Sequence, residues 1–202
     1  CQVIHWGVDT EMFHPSGEAK DTETNQILAV GRLAARKGYG SLLRAFAEVN
    51  QKNPETELLI VGRGDLKKRL IKQAKRLGVS SSVRIDSGMP FDKLAEEFRN
   101  ADLVVYPSYY EGQGLIPLEA MASGTPVATV NHGPLPEMVD DSVGALFTMA
   151  DTDSMSNAIL GLLNNPAGLA TRGTAGRERV LKNFTFGQNA EDFSQIYSQL
   201  VN

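Results

Sequence analysis

Two glutamates, Glu111 and Glu119, flank a glycine-rich turn, Ser108-Tyr109-Tyr110-Glu111-Gly112-Gln113-Gly114. The turn follows Asp102-Leu103-Val104-Val105-Tyr106-Pro107, an apolar run closed by proline that reads as a short buried strand. It precedes a helical segment, Leu115 to Ser123, which Gly124-Thr125-Pro126 terminates before a second buried strand, Val127-Ala128-Thr129-Val130. At such a strand end and helix start, free amides and the positive end of the helix dipole meet an anion. Glycines let that anion approach the backbone. A carboxylate is an acceptor that takes two hydroxyls at once, as the vicinal diol of a ribose or a sugar requires. Phosphates in the middle with hydroxyls at both ends describe a nucleotide-sugar. Each acid also has a plain reading, Glu111 as part of a helix cap and Glu119 as a solvated helix residue.

Cations complete the set. Gly31-Arg32 leaves the end of another buried run, Ile27-Leu28-Ala29-Val30-Gly31, and Lys37-Gly38 follows in the same loop. Both side chains can reach over the same mouth and supply the charge that two phosphates need; taken alone, they are surface charges beside a helix start. Gly62-Arg63-Gly64 begins like a dinucleotide fingerprint, but Lys67 stands where its third glycine belongs. Asp151-Thr152-Asp153 has the spacing of a metal-binding pair, yet it precedes a helix, where an aspartate is an ordinary N-cap. His5, His14 and His132 are scattered without ligand spacing, so no metal site is expected.

The elements that must position these residues alternate along the chain. Helices are expected over about 40–52, 66–77, 91–100 and 115–123, and strands over 27–31, 58–62, 83–85, 102–107, 127–130 and 145–147. A helical turn covers 133–139, and helices cover 153–164, 166–183 and 187–200. Short connections between strand and helix mean an α/β fold: a Rossmann-like parallel sheet with helices on both faces, all in one domain. Residues 1–25 are irregular. Phe193, Ile196, Tyr197 and Leu200 form an apolar stripe on the last helix that must pack on something. A basic face on the helix over 66–77 reads as solvated. A net charge of −4 argues against a general nucleic-acid binder, and the single cysteine, Cys1, indicates a reducing compartment. The chain starts at Cys rather than Met and reads as the C-terminal part of a longer protein.

In order and spacing these residues resemble the C-terminal, donor-binding domain of the retaining family 4 glycosyltransferases, one half of a GT-B fold, along nearly the whole chain. Gly7-Val8-Asp9 with Phe13 and Pro15 resembles the family's interdomain lead-in. Gly31-Arg32-Leu33 with Lys37-Gly38 resembles its phosphate-binding pair. Pro107-Ser108, Glu111-Gly112, Gly114-Leu115, Leu118-Glu119-Ala120-Met121-Ala122 and Gly124-Thr125-Pro126-Val127 resemble its signature of two glutamates eight positions apart, and Gly133, Pro136-Glu137 and Gly144 the block after it. The resemblance implies a nucleotide-diphosphate-sugar donor (UDP-, GDP- or ADP-), transfer to an acceptor hydroxyl with retention, and no cofactor or metal. It implies that Arg32 and Lys37 neutralise the diphosphate and that amides around Gly114, Leu115 and Ile116 hold its terminal phosphate. Glu119 would then bind ribose and Glu111 the transferred sugar. Gly31, Gly112, Gln113 and Met89 complete the expected donor-binding set, Met89 on the nucleobase side.

Four departures stand out. Ser87-Gly88-Met89 carries its glycine one place later than the family's base-pocket turn. Gln113 replaces a frequent aromatic residue, which implies a more polar sugar pocket. Phe186 stands in a place often held by tryptophan, and Pro134 in place of a common second glycine. The implied partners are the donor, a glycan, lipid-linked or small-molecule acceptor, and the protein's own N-terminal domain. The implied location is cytoplasmic, with membrane contact through that missing domain. A nucleotide-sugar epimerase of the same architecture and a non-catalytic nucleotide-sugar-binding domain are the alternatives.

Overall fold

A computed structural model describes residues 3–16 and 24–201. Cys1 and most of the polar run before Asn25, on which the compartment and part of the lead-in expectations fall, lie outside the described residues. The chain order is β1 (Asn25–Val30), α1 (Tyr39–Lys52), β2 (Thr56–Val61), α2 (Lys67–Arg76), β3 (Val83–Asp86), α3 (Phe91–Asn100) and β4 (Leu103–Tyr106). It continues with α4 (Leu115–Ala122), β5 (Val127–Val130), α5 (Leu135–Met138), β6 (Gly144–Phe147), α6 (Thr152–Leu163), α7 (Pro166–Asn183) and α8 (Phe186–Val201). The expected elements form, with ends that move by a residue or two. A short 3-10 turn over Ala35–Lys37, inside the stretch read as a loop, is the addition.

The six strands pair in parallel in the order β3-β2-β1-β4-β5-β6. Ile27 lies beside Leu58 on one side and Leu103 on the other, and Leu28 lies between Leu59 and Val104. All of these side chains are buried. Both faces of the central strands are covered, which is why they read as continuous apolar runs rather than alternating ones. α1 packs against α2 and α6, while α4 packs against α3 and α7. Asp151 caps α6 by accepting from Ser154 N at 2.9 Å, the role its sequence context predicts.

Strand order reverses between β1 and β4. The chain runs outward from β1 to β3, then returns to the other side of β1 and runs outward again to β6. At that switch point the loops after β1 and β4 diverge around a crevice at the carboxyl ends of the strands, where open α/β sheets bind ligands. The two loops touch. Tyr109 N donates to Arg36 O at 2.8 Å. Gly38 (φ +69°) lies so close to Pro107 that a Cβ there would collide with the Pro107 carbonyl oxygen. Gly38→Ala combines a left-handed backbone with that collision, so we expect a loss of about 2–4 kcal/mol in stability, measured by urea denaturation. A loss under about 1 kcal/mol would show that the two loops are not held at this separation.

The apolar stripe of α8 is only partly covered among the described residues, with Ile196 half-buried and the rest exposed. Tyr197 and Leu200 are 63% and 77% exposed, and Phe193 stacks only on Tyr197. No helix of the described residues is long and apolar enough to cross a membrane.

Candidate active site

The site is built where the β4 strand end, the glycine turn and the loop after β1 meet. Tyr106 closes β4 with its ring buried, and Thr129 on β5 holds that strand end by donating its hydroxyl to Tyr106 O at 2.8 Å. The turn then carries Glu111 back over the strand. Its Oε1 accepts from the Tyr106 hydroxyl at 2.7 Å, from Ser108 Oγ and from Lys37 Nζ. Lys37 Nζ also donates to the Tyr106 hydroxyl at 3.0 Å and lies 5.2 Å from the ring centroid. Lys37 and Glu111 are only 13% and 14% exposed at the side chain, so little solvent screens the pair.

Burial works to raise the Glu111 carboxyl, but the hydrogen bonds from Lys37, Ser108 and Tyr106 outweigh it and hold the group below the ordinary carboxylate range. Burial, and then the negative charge of Glu111, push the Tyr106 phenol far up, so it stays a donor. Every donor lands on Oε1, and none of the described residues bonds Oε2. Glu111 is therefore a fixed, ionised acceptor with one oxygen still available.

α4 starts directly beyond the turn. Gly114 (φ +96°) is its N-cap and supplies no side-chain cap, so the first amides of the helix have no capping partner from it. The Gly114 φ of +96° is a conformation that strains any side chain, and a Cβ there would also have to displace the end of the Leu135 side chain, 2.8 Å away, so glycine fits best. At the other end Arg177 of α7 donates to Ala122 O at 2.8 Å and to Phe13 O at 2.8 Å, anchoring α4 and the lead-in segment together. Arg32 leaves β1 into solvent and makes no side-chain hydrogen bond or ion pair with the described residues.

Glu119 lies one turn into α4 and makes no hydrogen bond or ion pair with Glu111. It opens on a cleft of about 370 Å³ lined mainly by apolar groups, among them Trp6, Phe13, Phe91, Leu115 and Phe186. Its Oε2 is buried without a partner. Burial alone pushes its carboxyl up to about 7. Met89 follows β3, half-buried against the core, in a loop fastened by Arg63 Nε to Ser87 O at 2.7 Å. Lys67, the residue that spoils the dinucleotide fingerprint, donates to Ser87 Oγ at 2.5 Å.

The structure thus brings Lys37 and Glu111 into contact, while among the described residues Arg32, Met89 and Glu119 make no hydrogen bond or ion pair with either. Sequence reasoning assigned no role to Tyr106 or Ser108. A polar-tipped aromatic at a strand end, followed two residues later by a hydroxyl and three more by the acid, is the signal that points to them. Both polar atoms of the Gln113 side chain are taken up by the main chain of Trp6, a partner the sequence reading did not give it.

Residues 11–179 match the family model described as Glycosyl transferases group 1. The chain belongs to this family. Among its relatives, a GDP-mannose-dependent alpha-(1-6)-phosphatidylinositol monomannoside mannosyltransferase of Mycolicibacterium smegmatis is 31% identical over 95% of this chain and 54% of its own length. A D-inositol 3-phosphate glycosyltransferase of Segniliparus rotundus is 37% identical over 86% of this chain and 41% of its own. Among solved structures, sucrose-phosphate synthase from Thermosynechococcus elongatus superposes with a TM-score of 0.89 at 31% identity, covering 99% of this chain and 52% of that one. The fold is therefore that of one half of a GT-B glycosyltransferase. This group 1 chain spans about half the length of the relatives it matches.

Proposed function

We propose that this chain is the donor-binding half of a retaining glycosyltransferase that moves a sugar from a nucleotide diphosphate to an acceptor hydroxyl. The observation that carries this is Glu111. An ionised carboxylate, fixed by three donors on one oxygen, stands at the switch point of the sheet beside the uncapped start of α4.

In this reading the diphosphate lies over the turn. Gly112, Gly114, Leu115 and Ile116 offer amides to it, Arg32 and Lys37 supply cations, and Gly31 leaves room beneath. Charge grows on the leaving diphosphate as the glycosidic bond breaks, and preorganised cations and amides hold that charge more strongly than water does. Glu111 Oε2 accepts from a hydroxyl of the transferred sugar. Glu119 accepts from the ribose, with Met89 on the side of the base. The acceptor oxygen attacks from the face the diphosphate leaves and passes its proton to the departing phosphate oxygen, which retains configuration. The reaction as proposed takes no step through a metal or a cofactor.

By their names, relatives use GDP-mannose or act on phosphatidylinositol monomannoside and inositol phosphate, which supports a sugar-nucleotide donor and a polyol or lipid-linked acceptor. We place the reaction in the cytoplasm, at the inner face of a membrane where the acceptor is a lipid. The acceptor wall belongs to a second domain.

Calorimetry with UDP-, GDP- and ADP-sugars on this chain tests the site. One of them is expected to bind in the micromolar to millimolar range, with no transfer to an acceptor by this chain alone. Glu111→Ala is expected to weaken the sugar nucleotide about 10-fold while changing the free nucleotide by less than 2-fold. Equal loss for both ligands would remove Glu111 from the sugar side. Incubating the full-length protein with donor alone separates transfer from epimerisation, because only an isomerase converts the donor with no acceptor present.

A further inference from the structure

Gln113 stands in the middle of the turn, between Glu111 and the start of α4. Trp6 N donates to its Oε1 at 2.7 Å, and its Nε2 donates to Trp6 O at 3.0 Å. One side-chain amide thus reproduces the two-way pairing that a neighbouring strand makes with a residue, across 107 positions of sequence. Trp6 lies in a segment gripped from its other side. Asn189 Nδ2 donates to His5 O at 2.7 Å, Val8 N donates to Phe184 O at 2.9 Å, and Val8 pairs with Thr185 in a parallel bridge. Residues 5–8 therefore run between the turn and the start of α8. Trp6, Leu115 at the head of α4 and Phe186 at the head of α8 line the same cleft as Glu119.

Before Gly112 the turn is held by Glu111 and by Tyr109, whose N–H donates to Arg36 O at 2.8 Å and whose hydroxyl pairs with Ser41 Oγ at 2.7 Å. Among the described residues no comparable contact holds Gly112. Gly112 is open on all sides, and Gly114 has a backbone conformation that side chains avoid. Such a turn samples many arrangements of its amides unless something outside it selects one. The Gln113–Trp6 pair is exposed to water, so its removal changes global stability little. Its effect is local to the turn.

Resting on the assignment of the turn as the diphosphate cradle, we propose that Gln113 is a positioning residue that locks the amides of residues 112–116 to the main chain of residues 5–8. Nucleotide on the turn then stiffens residues 5–8, and by linkage a displacement of residues 5–8 loosens nucleotide by the same factor. An aromatic side chain at this position cannot make the pair, so this coupling is a property of the glutamine.

Amide hydrogen exchange of this chain, with and without saturating UDP, GDP or ADP, tests it alongside calorimetry. In the parent, the nucleotide that binds is expected to slow exchange at 112–116 and at 5–8 together. Gln113→Ala is expected to melt within about 2 °C of the parent and bind nucleotide about 5- to 10-fold more weakly. It should keep protection at 112–116 while losing it at 5–8. Gln113→Glu, which still accepts from Trp6 N but no longer donates to Trp6 O, is expected to fall between the two. If the parent binds nucleotide and 5–8 does not respond, or if Gln113→Ala binds and protects like the parent, the coupling is overturned. A parent that binds none of the three nucleotides overturns the cradle assignment and the coupling with it.

Discussion

Glu119→Gln is expected to stabilise the ligand-free chain at pH 8 by about 2–3 kcal/mol and, in the same variant, to weaken nucleotide binding about 10-fold or more. Burial in the apolar cleft raises the Glu119 carboxyl from 4.5 to about 7, and no partner offsets that on Oε2. The folded chain therefore holds this proton more tightly than the unfolded chain does. Stability is lost as pH rises from about 4.5 to about 7, and the full penalty, about 3 kcal/mol, is present above that. A neutral amide of the same shape does not carry this penalty. Parent and variant should melt together near pH 5 and separate by about 5–10 °C at pH 8. An equal gap at both pH values would mean that the effect is packing and not charge.

The functional half of this prediction has the opposite sign. A ribose diol donates to a carboxylate, and a hydrogen bond to a charged acceptor is worth roughly twice one to a neutral amide. Nucleotide binding to the parent should strengthen from pH 6 to pH 8 and release a proton, seen as a buffer-dependent heat. In Glu119→Gln that pH dependence should vanish.

Lys37→Met is expected to destabilise this chain by about 3–5 kcal/mol at neutral pH and to lower sugar transfer by the full-length protein at least 10³-fold. The ion pair with Glu111 is shielded from solvent, and removing one partner strands the other charge. The pH signature follows from the lowered Glu111 carboxyl. Its contribution to stability is present above the unfolded value of 4.5 and is lost as pH falls through the folded value. The gap between parent and Lys37→Met should therefore be widest near neutrality and narrow in acid, as denaturant titrations at several pH values will show.

Glu111→Gln separates fold from function. Its amide oxygen still accepts from Ser108, Tyr106 and Lys37 Nζ, so the Lys37 ammonium keeps a hydrogen-bond partner though not its counter-charge. Stability should therefore drop less than in Lys37→Met, by about 2–3 kcal/mol. Transfer should nevertheless fall at least 10²-fold, because a neutral amide is a weaker acceptor for the sugar hydroxyl. Lys37→Arg keeps the charge but not the reach, and is expected to recover stability better than activity. Near-normal transfer by either Lys37→Met or Glu111→Gln would remove this pair from the reaction.

Much of this protein could be read from its residues in order. Apolar runs such as Ile27–Val30 and Val127–Val130 can only be strands buried on both faces, and their alternation with helices of ordinary spacing leaves few folds besides a parallel sheet. The turn from Ser108 to Gly114 announces itself because glycine between a strand and a helix serves a close backbone approach. Asp151 announces itself as a cap because cap chemistry is local. Strand order is another matter. That β4 returns to the side of β1, and so sets the loop of Lys37 against the turn of Glu111, depends on packing between elements far apart in sequence.

The same limit governs the side chains. Glu111 and Glu119 look alike in the chain, but three donors lower one and burial beside an apolar cleft raises the other. Gln113 could be placed in the turn but not paired with Trp6, whose main chain arrives from the far end of the sequence. Residue type and spacing determined which groups stand at the strand ends. Only the tertiary structure decided which of them touch, and contact and burial are what set their charge.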